Sequence, residues 1–228
     1  MNRLKSKAGS FKRAVASILK NNPNRYLRYI KGVIHVGANT GQGRDLYAKH
    51  NLQVMWVEPI PEVFLELQDN INGYASQHAL NYLVTDTDHK SYDFHISNNA
   101  GASSSILQLD MHKDIWPHVD FIETITLESF TLDTVLAREK IDIDIYDGLV
   151  LDTQGSELMV LQGAVRNLER FKFIQVEVPD FESYVGCCQR KDIDSFLEPA
   201  GFREFSRVKF AEHSGGGSYY DIVYKKVL

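Results

Sequence analysis

The chain is poor in cysteine, has no long apolar run, and carries no acidic residue in its first 44 positions. Its only two cysteines, Cys187 and Cys188, are neighbours. Disulfide geometry wants Cα atoms further apart than consecutive residues allow, so a disulfide framework is excluded. A zinc knuckle is excluded with it, and a reducing, cytoplasmic setting is expected. No apolar stretch approaches the roughly 18–20 residues needed to cross a bilayer. The N-terminus lacks the apolar region and small-residue cleavage site of a secretory signal, although its basic, acid-free character is shared with mitochondrial presequences. Hydrophobic residues make up 43% and charged residues 24% of the 228. That composition excludes a disordered tail and a collagen-like repeat, and the length suits one full-sized core.

The net charge of −5 conceals a division. Ten Lys/Arg precede Asp45, the first carboxylate; the other 15 basic residues and all 30 acidic ones follow. An acidic body of this kind disfavours non-specific nucleic-acid binding.

By hydrophobic period, strands and helices alternate. Phe11, Val15, Ile18 and Leu19 form a helical stripe over residues 8–20, ended by Asn21–Asn22–Pro23. Short buried strands are predicted at 33–37, 53–58, 80–85, 148–152 and 173–178, with helices at about 42–50, after Pro61, at about 156–168, and around Ile193 and Leu197 up to Gly201. Residues 92–97 and 119–127 alternate with period two and read as added strands around a long polar stretch, 98–118. Residues 202–210 and 218–227 flank a turn and predict a closing hairpin. Such alternation implies βαβ units in a largely parallel sheet, whose ligands sit at the carboxyl ends of the strands.

The first strand runs into His35–Val36–Gly37–Ala38–Asn39–Thr40–Gly41–Gln42–Gly43, a turn whose glycines let backbone approach a ligand. Glu58 ends the second strand 21 residues after Gly37, a spacing at which a carboxylate accepts both hydroxyls of a ribose. Gly37, Gly41 and Gly43 also fit the glycine pattern of short-chain dehydrogenases. Those enzymes need Tyr-x-x-x-Lys for proton transfer, and none of the eleven tyrosines has lysine four positions on.

A longer block narrows the choice. Leu149–Val150–Leu151–Asp152–Thr153–Gln154–Gly155–Ser156–Glu157, followed by Val160–Leu161 and Gly163–Ala164, resembles the "K-x-D-V-[EQ]-G-x-E-x-x-V-L-x-G-A" segment of FkbM-type methyltransferases. Residues 33–41 resemble that family's "D-V-G-A-N-x-G", and 57–61 its "E-P-x-P". Leu132–Asp133 with Val135–Leu136 is similar to its "T-L-D-x-x-L", and 175–178 to its "x-x-x-E-V". The blocks fall in family order from residue 33 to about 226.

The resemblance implies an α/β fold of the class I methyltransferase type. This is a Rossmann-like sandwich with a seven-stranded, mostly parallel sheet in the order 3-2-1-4-5-7-6. A basic helical extension is expected over 1–31, and a single methyltransferase domain over 32–228 with an insertion at about 88–130. The resemblance further implies S-adenosylmethionine as cofactor and O-methylation of a glycan or small secondary metabolite. Gly37, Asn39, Thr40 and Gly41 are then expected around the methionine and ribose portion, with Glu58 on the ribose hydroxyls and Asp86 near the adenine amine. Asp152, Gln154 and Glu157 are expected at the methionine or methyl end, Glu157 being otherwise a helix-start carboxylate. His35 departs from the pattern, standing where the family commonly has Asp, and reads as structural.

Two residues are candidate general bases: Glu177 at the end of the fifth strand, and His213 beside the glycine-rich turn. Ser103, Ser104 and Ser105 are candidate acceptor-binding hydroxyls. Asp110/His112 and Asp120/His118 have unspecific spacing for a metal site, and no metal is expected. The adenine-N6 tetrad and the Pro-Cys of cytosine-C5 enzymes are both missing, so a nucleic-acid acceptor is not expected. A non-catalytic cofactor-fold binding or assembly module is the rival reading, and methylation of nucleic acid or protein a more remote one. The basic segment is expected to pack on the acidic domain, cap the cleft, mediate a homodimer, or touch an anionic acceptor or membrane surface.

Overall fold

The computed structural model describes residues 23–227. The expected helix at 8–20 lies outside them. From Pro23–Tyr29, a 3-10 helix, the chain enters a seven-stranded sheet built from β1 (Gly32–Val36), β2 (Gln53–Val57), β3 (Gln77–Leu80), β7 (Gly148–Leu151), β8 (Phe173–Pro179), β9 (Phe202–Glu212) and β10 (Ser218–Lys226). Its order is β3-β2-β1-β7-β8-β10-β9. The first five strands are mutually parallel, and β10 runs antiparallel to both β8 and β9. Counted along this sheet alone, that is the expected 3-2-1-4-5-7-6.

Every residue of β7 is buried and only Gln53 of β2 is exposed, as both faces of a parallel sheet are covered. Alternate residues feed two cores. Ile34, Val36, Leu149, Leu151, Ile174 and Val176 pack on one face. Val33, Val54, Trp56, Val150 and Phe173 pack on the other, with Tyr26 and Tyr47. The helices are α1 (Arg44–Lys49), α2 (Pro61–Ile71), α3 (His112–Ile115), α4 (Leu132–Arg138), α5 (Glu157–Gln162) and α6 (Arg190–Leu197). Proline at the first position starts α2. A reciprocal Gln189/Asp192 capping box starts α6.

Two expectations are corrected. The third strand is not 80–85 but Gln77–Leu80, an edge strand with one buried residue and so little hydrophobic signal. The apolar pair Leu83–Val84 (β4) belongs to a second, three-stranded sheet, β4-β6-β5, with β5 at Lys90–Ser97 and β6 at Phe121–Phe130. The helix expected over 156–168 stops at Gln162 with Gly163 as its C-cap, and Gly163 lies against the backbone of Thr85 with no room for a side chain. The small sheet packs through Leu83 and Phe94 on Ile60, just before α2, and so closes over the carboxyl ends of the large sheet.

Candidate active site

A cleft of about 320 Å³ opens at those carboxyl ends. The β1 turn, the residues after β2, the small sheet, the 100–104 loop and the β7 turn all contribute walls.

Gly37 follows β1 with φ +82°, and a Cβ there would sit 1.8 Å from the carbonyl oxygen of Asp152. Only glycine lets the β1 and β7 turns meet this closely. Asn39 holds φ +45°, a left-handed conformation that asparagine tolerates better than most residues. Its backbone N–H donates to Glu58 Oε2 at 2.8 Å, and the Ile60 N–H donates to Glu58 Oε1 at 3.0 Å. Glu58 is therefore buried and aimed by backbone. Burial still pushes its carboxyl up to about 7, against the two backbone hydrogen bonds that lower it. The Asn39 side-chain amide donates to the Ala100 carbonyl at 3.0 Å, tying the insertion to the β1 turn.

Opposite lies Asp152, pushed up to about 7, chiefly by burial and also by the neighbouring charges of Glu157 and Asp221. Gln154, at φ +52°, donates from Nε2 to Asp152 Oδ1 at 2.7 Å and to Glu177 Oε1 at 3.1 Å. Burial and the negative charge of Asp152 raise Glu177 well above the ordinary carboxylate range. The far wall is apolar: Ile60, Tyr82, Leu83, Val84 and Phe94.

The cleft thus brings together Gly37, Asn39, Glu58, Asp152, Gln154 and Ser104 of the expected set. Glu177 reaches it through Gln154. The remaining expected residues lie elsewhere. Thr40 gives its carbonyl to Asn70, and Gly41 faces Leu67 behind the turn. Glu157 is buried behind the β7 turn, where its carboxylate accepts from the Thr153 and Gly155 N–H groups and from the Cys188 thiol. Its work is to shape the loop that carries Gln154. Ser103 and Ser105 are also buried; Ser103 Oγ meets His112 and Asn99, and Ser105 donates to the Gln154 carbonyl at 2.8 Å.

Asp86 and His213 are not among the residues that line the cleft. With β3 ending at Leu80, Asp86 no longer follows it; it is exposed after β4 and accepts from the Thr87 hydroxyl. His213 stacks on Phe181 and pairs with Asp114 at 2.8 Å, outside the cleft lining. That hydrogen bond raises its pKa.

His35 does line the cleft. It hydrogen-bonds Tyr47 at 3.0 Å, lies 5.0 Å from the Trp56 ring, and burial lowers its pKa to about 4. A neutral imidazole supplies no charge to the site. Tyr82, Leu83, Val84, Phe94 and Gln42 were not expected at the site; the apolar run at 80–85 and period two in β5 pointed to strands without pointing to a cleft. Among the described residues, no group of three His, Cys, Asp or Glu side chains could hold a metal, and no helix is long and apolar enough to cross a membrane.

The strand order, with a cleft at the carboxyl ends of the strands, is that of the class I methyltransferase fold. The sequence model of the Methyltransferase FkbM domain matches residues 35–204, and the chain belongs to that family. No curated protein matches the chain. Among solved structures it is similar to M. capricolum TrmK in complex with the cofactor product S-adenosyl-homocysteine (TM-score 0.51, 7% identity, covering 90% of this chain and 67% of that one). It is also similar to an uncharacterized protein from Listeria monocytogenes serotype 4b (TM-score 0.50, 10% identity, 90% and 66%). A third likeness is magnesium protoporphyrin IX methyltransferase from Synechocystis PCC 6803 with bound SAM (TM-score 0.48, 10% identity, 100% and 85%). The chain spans about two thirds of the length of the first two. At these identities the likeness is one of fold.

S-adenosylmethionine is the cofactor, and the residues present fit it. Each Glu58 oxygen accepts only one backbone N–H, leaving lone pairs for the two ribose hydroxyls. The apolar wall suits a flat base. Burial raises Glu58, Asp152, Glu177 and Asp221, and among the described residues the charges that raise the first three further are those of other carboxylates. Such a group of acids is suited to a cationic ligand.

Proposed function

We propose that the protein transfers a methyl group from S-adenosylmethionine to a hydroxyl of a glycan or small metabolite, with Glu177 as general base. The acidic cleft carries this reading: three carboxylates converge at the ends of β2, β7 and β8, Glu58 and Asp152 pushed up to about 7 and Glu177 raised well above the ordinary carboxylate range.

S-adenosylmethionine supplies a methyl group already activated by its sulfonium. The chain must orient the acceptor oxygen and remove its proton. Orientation is the task of the small sheet and the 100–104 loop, which cover the cleft and bring Ser104 to it. Glu58 holds the ribose and Asp152 faces the cationic end. Glu177 takes the acceptor proton; its raised pKa makes it a better base than an ordinary carboxylate near neutral pH. The same negative field repels phosphates, which supports a neutral acceptor over a nucleic acid. A cytoplasmic setting belongs to this reading, with Cys187 and Cys188 both free thiols.

A methyl-transfer screen with labelled S-adenosylmethionine over sugars, glycans and hydroxylated metabolites tests it. Transfer to a hydroxyl is expected, with Glu177→Gln lowering kcat about 10²–10⁴-fold at little change in cofactor affinity. Transfer only to a nucleic acid or protein, or an unimpaired Glu177→Gln, would contradict it.

A further inference from the structure

Gln154 is the point at which four separate parts of the chain meet. Its side-chain Nε2 spans Asp152 after β7 and Glu177 in β8. Its carbonyl accepts from Ser105 in the insertion. Its Oε1 accepts from the Tyr184 hydroxyl at 2.9 Å, contributed by the loop between β8 and α6. Tyr184 is buried, and its hydroxyl also lies 3.2 Å from the Ser103 carbonyl.

An amide can face either way, and its neighbours decide. Burial raises the phenol pKa, so the Tyr184 hydroxyl stays protonated, and its one proton has the Ser103 carbonyl and the Gln154 oxygen as acceptors. The two carboxylates at the other end take the NH₂, and the hydroxyl meets the oxygen that this leaves facing it. A flipped amide would set its oxygen against both acids and leave the phenol proton with the Ser103 carbonyl alone.

We infer that Tyr184 is a positioning residue which, through the Gln154 amide, holds Asp152 and Glu177 as a hydrogen-bonded pair of carboxylates ready to ionise. Its catalytic meaning rests on the cofactor and base proposed above; the geometry itself does not. The groups facing Glu177 are Asp152 after β7, Glu157 on α5, and Asp221 and Tyr219 on β10. Asp152 is further faced by Glu58 after β2 and Tyr47 on α1. All of these are acids, so among the described residues the Gln154 amide is the group that favours the charged forms.

Tyr184→Phe removes the hydroxyl and keeps the ring that lies 5.0 Å from His112. Carboxyl ¹³C NMR titration of the cofactor-free protein, with Asp152 and Glu177 assigned from Asp152→Asn and Glu177→Gln, reads the effect directly. In Tyr184→Phe the pair is expected to titrate about one pH unit higher than in the wild type. Gln154→Met, which keeps the length and loses the amide, should give a shift at least as large, and the double variant no more than Gln154→Met alone. Wild-type titration in either single variant would overturn the inference, as would additive shifts. If Tyr184→Phe does not fold, Gln154→Met decides alone: an upward shift supports the bridge and an unmoved titration overturns it. Absence of S-adenosylmethionine binding by the wild type would instead count against the proposed function, and would leave the titration result standing.

Discussion

Glu58 and the Asp152–Glu177 pair face each other across one cleft, yet they are held in opposite ways. Glu58 is gripped by two backbone N–H groups, one from each adjoining turn. Asp152 and Glu177 are held by a single side-chain amide, which is itself held by a buried tyrosine. Backbone donors are fixed by the path of the chain and survive almost any substitution nearby. Side-chain donors can be removed singly. The ribose end of the site is thus built into the fold, and the methyl end is adjustable.

Substitutions should expose that difference. The largest effect is expected at the contact between the halves. Gly37→Ala places a Cβ on the Asp152 carbonyl at positive φ, and should cost on the order of 3 kcal/mol in urea denaturation and abolish cofactor binding. Next, Glu58→Ala should weaken S-adenosylmethionine about 100-fold in calorimetry, through loss of two charge-assisted hydrogen bonds. The fold should persist, since the Asn39 and Ile60 N–H groups then face an open cleft.

A third effect is one of pH. Glu58 and Asp152 titrate near 7 when folded, above their unfolded values, so their contribution to stability is present in acid and is lost as pH rises towards 7. His35 and His112, both lowered to about 4, contribute oppositely: their stabilisation is present above the unfolded value and is lost as pH falls towards 4. With Glu177 and Asp221 raised as well, the carboxylates outnumber the two histidines, so the melting temperature of the cofactor-free protein should fall as pH rises from about 4 to 7, most steeply above about pH 6.5 where the histidines no longer offset them. Saturating S-adenosylmethionine should flatten that fall. The smallest effect is expected at the edge of the adjustable half, where Ser105→Ala removes one hydrogen bond to the Gln154 carbonyl. It should cost about 1 kcal/mol in denaturation.

The two halves also differed in how far the sequence revealed them. Val33–Val36, Gln53–Val57 and Gly148–Leu151 are apolar runs that end in turn or acidic residues, so the strand ends and the residues just beyond them could be placed. The edge strand Gln77–Leu80 has one buried residue, and the stronger run beside it belongs to the small sheet. That displaced Asp86 from the site. The supporting contacts could not be read at all. Tyr184 meets Gln154 across 30 residues and His112 meets Tyr219 across 107, and neither pair leaves a periodic trace. His213 had suitable chemistry for a base, but Asp114 engages it elsewhere.

This acidic cleft is built for a cationic nucleoside cofactor. Calorimetric titration of the wild-type protein with S-adenosylmethionine across neutral pH tests it most directly. Binding is expected to tighten as pH rises through about 7, with protons released on association as Glu58 and Asp152 ionise. No binding at millimolar cofactor, or an affinity indifferent to pH with no proton release, would contradict it.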